Sequence, residues 1–169
     1  ALQDALANVI GGFTLLSNKP FKAGDYVEIA GQGGTVQSID IAYTKLSTPD
    51  NKLIFLPNAS VVASQIVNYS TAVNRRVDIT VTASYDAPIE TVKAALLRAA
   101  EQPQVLADPA PFAGVTNYGD SAIEYVLRFW TANGDYWDAK FAATEAISRE
   151  FAASGVEMTF PHLNVHLDK

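Results

Sequence analysis

The first sixteen residues constrain the chain most. Leu2, Leu6, Val9, Phe13 and Leu16 recur at spacings of four and three, which stacks them on one face of a helix over residues 2 to 16. Ala5, Ala7, Gly11 and Gly12 are small, and small residues let helix backbones approach closely. Each glycine costs a helix interior about 1 kcal/mol relative to alanine. The Gly11-Gly12 pair therefore fits a helix whose tight packing recovers that loss. Two readings stay open on these residues: an ordinary N-terminal core helix, or a helix that packs against other helices.

This segment is too short to cross a bilayer. Its longest apolar stretch, Val9 to Leu16, falls well below the ~20 residues a span requires. Residues 1 to 18 carry no basic leader or cleavage pattern, so no secretory signal is read there. The expectation is either a soluble protein or part of a longer one.

Asn18-Lys19-Pro20 ends the helix, because proline disfavours helical geometry in the residue before it. From Phe21 to Tyr69 the pattern turns to β. Tyr26 to Ala30 alternates, Gly31-Gln32-Gly33-Gly34 is expected to turn, and Thr35 to Ile39 and Ile41 to Leu46 are rich in β formers. Pro49-Asp50-Asn51-Lys52 reads as a hairpin turn with Lys52 to Leu56 returning, and Pro57-Asn58 stops that strand. Short strands joined by tight turns suggest a small barrel or sandwich. A polar joint at residues 70 to 74 is placed as a domain boundary.

The remainder has a β-α-β-β-α-β rhythm, which predicts a ferredoxin-like α+β sandwich. Val77, Ile79, Val81 and Ala83 alternate with polar residues. Asp86 and Pro88 signal a helix whose apolar face is Ile89, Val92, Leu96 and Leu97. Val115 to Tyr118 and Ala122 to Trp130 flank a turn at Gly119-Asp120, with Ile123, Tyr125, Leu127 and Phe129 on one face. A second helix is expected over Asp135 to Ala153, with Trp137, Phe141, Ile147 and Phe151 inward and Gly155 closing it. A last strand is expected over Phe160 to Leu167. The fold class is thus α+β: an N-terminal amphipathic helix, a small Sm-like β barrel or sandwich, and a ferredoxin-like sandwich with a C-terminal strand. The expected divisions are residues 1–18, 19–70, 71–159 and 160–169.

Chemistry is sparse. The net charge of −6 argues against nucleic acid, which calls for clustered Lys and Arg. The one tight basic cluster, Arg75-Arg76, reads as a solvated strand start ahead of a phosphate site. With no cysteine, disulfide scaffolds, Cys-based zinc sites and Cys nucleophiles are excluded. The two histidines, His162 and His166, share one face of the expected last strand, but about 13 Å separates residues four apart on a strand. That distance is too long for one metal ion. Asn164 joins them on the polar side. No nucleophile-base constellation, HExxH sequence or Walker loop is present. Neither enzymatic activity nor a cofactor is expected.

One ordered set of motifs then narrows the reading. Asn18-Lys19-Pro20-Phe21-Lys22-Ala23-Gly24-Asp25-Tyr26-Val27 is followed by Gly34-Thr35-Val36, then Ile39, Thr44, Leu46, Thr48 and Asp50. Phe55-Leu56-Pro57-Asn58 and Ile66-Val67-Asn68-Tyr69-Ser70 come next, and Gly155 through Phe160-Pro161 to Leu167 closes the set. This run resembles the small-conductance mechanosensitive channel family over nearly the whole chain. The resemblance implies a homo-heptamer in a cell's inner membrane, opened by tension and releasing ions and small osmolytes on osmotic downshock. The bilayer would be reached through transmembrane segments upstream of this sequence, and this part would form a cytoplasmic vestibule.

The resemblance also assigns residues. Residues 1–18 become the second half of a pore-lining helix, packed through Leu2, Leu6, Val9, Gly11, Gly12 and Phe13. A helix bend is implied at Gln3 and Asp4, where Asp4 stands at a position commonly glycine. Asn8 would lie near the loop Pro57-Asn58-Ala59 and couple the helix to the β domain. His162, Asn164 and His166 would face a barrel formed by the last strands. A different class competes: a soluble binding module pairing a small β barrel with a ferredoxin-like domain, since such folds host many functions.

Overall fold

The computed structural model describes residues 1–161 together with Leu163 and Val165. The chain divides into two compact units, Ala1–Ala72 and the part from Val73 onward.

In the first unit, helix α1 runs without a break over Leu2–Asn18. Lys19 closes it in the left-handed region at φ 48°, donating its N–H to Leu15 O at 2.9 Å, and Pro20 bars continuation. Strands β1 (Tyr26–Ile29), β2 (Gln32–Ile39), β3 (Tyr43–Ser47) and β4 (Leu53–Pro57) follow. A short helix α2 (Asn58–Ala63) and strand β5 (Ile66–Asn68) complete the unit. The sheet is antiparallel with order β4-β3-β2-β1-β5. Its core gathers Leu15, Phe21, Val27, Ile29, Val36, Leu46 and Val61.

The Pro20-to-Asp25 stretch is a structural clasp. Phe21 enters the core, and the half of the loop that follows bends back through Gly24 at φ 94°. The buried Asp25 carboxylate accepts from Lys22 N (3.1 Å) and Asn68 Nδ2 (3.0 Å), tying the start of β1 to the end of β5. Asn68 Nδ2 also donates to Pro20 O at 3.1 Å.

Two expectations change here. The β1–β2 turn falls at Ala30-Gly31, both at positive φ (51° and 76°), so Gln32 to Gly34 belong to β2. The glycine-rich run serves strand contact as much as turning: a Cβ on Gly34 would lie 2.8 Å from Ser47 O of the facing strand. Secondly, Pro57-Asn58 does not lead into a loop but opens α2.

The second unit holds β6 (Asn74–Ala83), α3 (Ile89–Ala99), β7 (Phe112–Tyr118), β8 (Ile123–Ala132), a 3-10 turn (Asn133–Asp135) and α4 (Tyr136–Ala153). Its sheet, of order β6-β8-β7 among the described residues, is covered on one face by α3 and α4. Ile123, Tyr125, Leu127 and Phe129 all point into that core. Burying side chains of this size contributes roughly 1.5–3 kcal/mol each. Gly155 at φ 67° ends α4, with Val156 N donating to Phe151 O at 2.9 Å.

Helix α4 departs from the expected phase. Ile147 and Phe151 are buried, but Trp137 and Phe141 are exposed and stack on each other at 5.8 Å. The buried stripe is Ala139, Ala143, Ala146, Ile147 and Phe151, which follows the 3.6-residue period and brings α4 close to its neighbours. Leu97 likewise lies toward solvent, leaving Val92, Ala95, Leu96 and Ala99 to pack.

Half of the expected closing strand lies outside the described residues. Phe160, Pro161, Leu163 and Val165 carry no strand. The chain leaves α4 with Ser84 N donating to Glu157 O at 3.0 Å, just past the end of β6. Pro161 has no N–H for a sheet ladder. His162, Asn164 and His166 lie outside the described residues.

Candidate functional site

The site with the most built-in geometry lies where α1 meets α2, inside the first unit. Helix α2 begins at Asn58 with no side-chain cap of its own, so its first amides need partners from elsewhere. Asn58 N donates to Ala42 O at 2.9 Å. Ala59 N donates to Oδ1 of Asn8, on α1, at 3.0 Å. Asn8 thus caps a helix fifty-one residues away along the chain.

Asn58 is a buried polar hub with its hydrogen-bonding groups engaged. Its Oδ1 accepts from Thr44 Oγ1 at 2.8 Å, and its Nδ2 donates to Asp40 O at 2.8 Å and Ile41 O at 3.1 Å. The β2–β3 connection, β3 and α2 are thereby locked together. Asp40 also pairs with Lys45 at 2.8 Å, and the hydrogen bond from that ammonium holds its carboxyl below the usual range.

The two glycines make the contact possible. A Cβ on Gly11 would lie 2.8 Å from the Asn58 carbonyl carbon, 2.9 Å from Ala59 N and 2.9 Å from Asn58 O. A Cβ on Gly12 would lie 2.7 Å from Asn58 Nδ2 and 2.7 Å from Ile41 O. Both glycines are buried, with Leu15 one turn further on. The helix therefore docks through the face where Gly11 and Gly12 carry no side chains, flanked by Asn8 and Leu15.

The opposite result holds for the apolar residues. Leu2 is 84% exposed and Phe13 74%, and Leu6, Val9, Ile10 and Leu16 are also exposed. Beside them an open, apolar groove of about 740 Å³ is lined by Val9, Phe13, Leu16, Ile39, Ile41 and Tyr43. An ordinary core helix buries such residues, so that reading of α1 fails.

Of the site residues singled out above, Asn8, Gly11, Gly12, Asn58 and Ala59 come together in one contact, with Pro57 preceding it. Leu2, Leu6, Val9 and Phe13 lie on the exposed side. Gln3 and Asp4 occupy the first turn of α1. Thr44 and Asp40 join the contact without a sequence signal for it: Thr44 stands in the sequence only as a β-domain position, and Asp40 contributes its backbone carbonyl, which no sequence pattern reports. Among the described residues no group of three His, Cys, Asp or Glu side chains could hold a metal ion. No described helix is long and apolar enough to cross a membrane.

Two family profiles cover this architecture. One described as "Mechanosensitive ion channel, beta-domain" matches residues 4–71, and one described as "Mechanosensitive ion channel MscS, C-terminal" matches residues 62–158. The chain therefore belongs to the MscS family of mechanosensitive ion channels. A small-conductance mechanosensitive channel of Edwardsiella ictaluri is 37% identical over 99% of this chain, and one of Helicobacter pylori is 30% identical over 98%. The chain spans about three-fifths of the length of these relatives, at 59% and 61%. In three dimensions it is similar to the closed-state crystal structure of Helicobacter pylori MscS. The TM-score is 0.94 at 29% identity, covering 100% of this chain and 68% of the other. Arabidopsis thaliana MSL1 shares the fold, with TM-scores of 0.77 to 0.81 at 18–19% identity over 94% of this chain.

Proposed function

We propose that this chain is the membrane-proximal and vestibule portion of a tension-gated, weakly selective channel that releases ions and small osmolytes on hypo-osmotic shock. The full subunit would assemble as a homo-heptamer in the inner membrane through transmembrane segments upstream of residue 1, with this part on the cytoplasmic side. The chain's work is mechanical and permeation-related, with no enzymatic step and no cofactor.

The observation that carries this reading is the two-sided character of α1. One side is fixed to the β unit by Asn8, Gly11 and Gly12, and the other presents Leu2, Leu6, Val9, Ile10, Phe13 and Leu16 uncovered. A helix built this way fits packing against copies of itself and against lipid, while its docked side transmits displacement to the sheet. The soluble-module alternative would leave that apolar row in water, which favours association or aggregation. The sheet adds support: β4 and β5 are its two edges, and β4 carries the exposed Leu53 and Phe55. Free edges at opposite ends of one sheet are suited to closing a ring of identical copies.

In this scheme Asn8 biases the closed and inactivated states by holding α1 on α2. Patch recordings of the full-length channel test it. Asn8→Ala is expected to alter gating or inactivation at unchanged expression, and unchanged recordings would remove the coupling role.

A further inference from the structure

The adjacent pair Arg75-Arg76 does not act as one basic cluster. The pleat sends the two side chains to opposite faces of β6. The Arg75 guanidinium lies 3.8 Å above the Tyr136 ring, on the helix side. Arg76 belongs to the face that α3 and α4 leave uncovered.

Strand register defines what meets Arg76 there. Asp78 pairs with Arg128 across β6 and β8, and Arg128 pairs with Phe112 across β8 and β7, so these three form one row. Arg76 pairs with Trp130 in the next row. Phe112 lies folded over Gly114, whose Cβ, if present, would meet the ring at 2.8 Å. An open pocket of about 280 Å³ results, lined by Arg76, Ala110, Phe112, Arg128 and Trp130.

The charges in this pocket do not balance. Arg76 takes both oxygens of Asp78 as a fork, Nε to Oδ1 at 2.7 Å and Nη2 to Oδ2 at 3.0 Å. Arg128 comes within 3.3 Å of Asp78 Oδ2 with its Nε, but the direction is wrong for a hydrogen bond. That Nε is buried and has no hydrogen-bond partner among the described residues. One carboxylate thus serves two guanidinium groups, and the second is left with donors to spare. A guanidinium presents a planar fork that matches carboxylate and phosphate oxygens, and Trp and Phe beside it supply flat apolar surface. In a chain whose net charge is −6, a local excess of positive charge framed by two aromatic rings is a selective feature.

We propose that the Arg76, Arg128, Trp130 and Phe112 pocket binds a small organic anion carrying a flat ring, such as a nucleoside monophosphate or an aryl carboxylate. Arg128 takes the anionic head and the two aromatic side chains take the ring, with Asp78 competing for the same guanidinium groups. The proposal is independent of the channel reading, because binding is measured without any current.

The test uses purified full-length protein carrying Trp137→Phe, which leaves Trp130 as the reporter within this chain, since the chain has two tryptophans. Adenosine monophosphate and benzoate are titrated against its fluorescence, with inorganic phosphate as the head alone and adenosine as the ring alone. Saturable quenching is expected with the ring-bearing anions. Arg128→Gln should weaken it by about tenfold or more, the scale of one charge-assisted fork, and Asp78→Asn should strengthen it. Arg128→Lys keeps the charge but loses the fork, and should weaken binding at little risk to folding. Circular dichroism checks each variant. The proposal is overturned by any of three results: no saturation up to about 10 mM ligand, inorganic phosphate binding as tightly as the monophosphate ester, or folded Arg128 variants binding like the parent.

Discussion

Gly11→Ala separates two opposite expectations for α1. Helix propensity alone favours alanine over glycine by about 1 kcal/mol, so on an open helix surface the substitution stabilises. Here the new Cβ would lie 2.8 to 2.9 Å from three backbone atoms of Asn58 and Ala59. Backbone cannot step aside as a flexible side chain can, so α1 must move off α2. Overpacking of this kind costs about 1–3 kcal/mol. The shift also breaks the bond from Ala59 N to Asn8 Oδ1, and an unsatisfied, partly buried amide costs up to about 1–3 kcal/mol more. Because moving α1 off relieves the overlap, the steric and hydrogen-bond losses do not add in full, and set against the propensity gain they leave a net loss of about 1–3 kcal/mol at this contact. Hydrogen exchange of the full-length protein reads it directly at the amides of residues 58–63. Each 1.4 kcal/mol lost from local opening speeds exchange about tenfold, so roughly five- to hundredfold faster exchange is expected there, with the strands of the second unit unchanged. Slower exchange in Gly11→Ala, as propensity alone dictates, would refute the close-contact argument.

Three further outcomes follow from the same contacts. Asn58→Ala strands Thr44 Oγ1 and the carbonyls of Asp40 and Ile41, so thermal denaturation should show a loss of about 2–4 kcal/mol in the first unit. Phe151→Ala should cost about 3–5 kcal/mol, whereas Trp137→Ala in the unassembled chain should stay within about 0.5 kcal/mol, because only Phe151 is buried; comparable losses in chemical denaturation would contradict the assigned phase of α4. Asn8→Ala combined with Gly11→Ala should be less than additive in the exchange assay, since both act through the one docking contact, and strict additivity would show that they act separately.

The sequence exposes the apolar stripe of α1 clearly, because large side chains at spacings of three and four leave a strong periodic signal. It does not reveal which face docks. The docking face is made of Gly11 and Gly12, where contact depends on missing atoms, and periodicity counts only atoms that are present. The same blind spot explains α4. Trp137 and Phe141 draw the inward face toward themselves by sheer size, while the face that packs is lined by Ala139, Ala143 and Ala146. Helix α2 escapes notice for another reason. Its six residues span too little length for a period, and the amide of its second residue, Ala59, is capped by Asn8 from a remote segment. The long alternating strand β8 was legible, since one buried face repeats over ten residues. The arginine-lined pocket was not, because it is assembled by strand register across β6, β7 and β8.

In the proposed function α1, anchored to the β unit on one side and apolar on the other, would couple membrane tension to this part of the molecule. Patch recording of the full-length protein in liposomes under graded suction tests it most directly. Currents that rise steeply with tension, and whose inactivation changes in Asn8→Ala, are the predicted result. A reconstituted, correctly assembled protein that stays silent up to the tension at which the bilayer ruptures would contradict it.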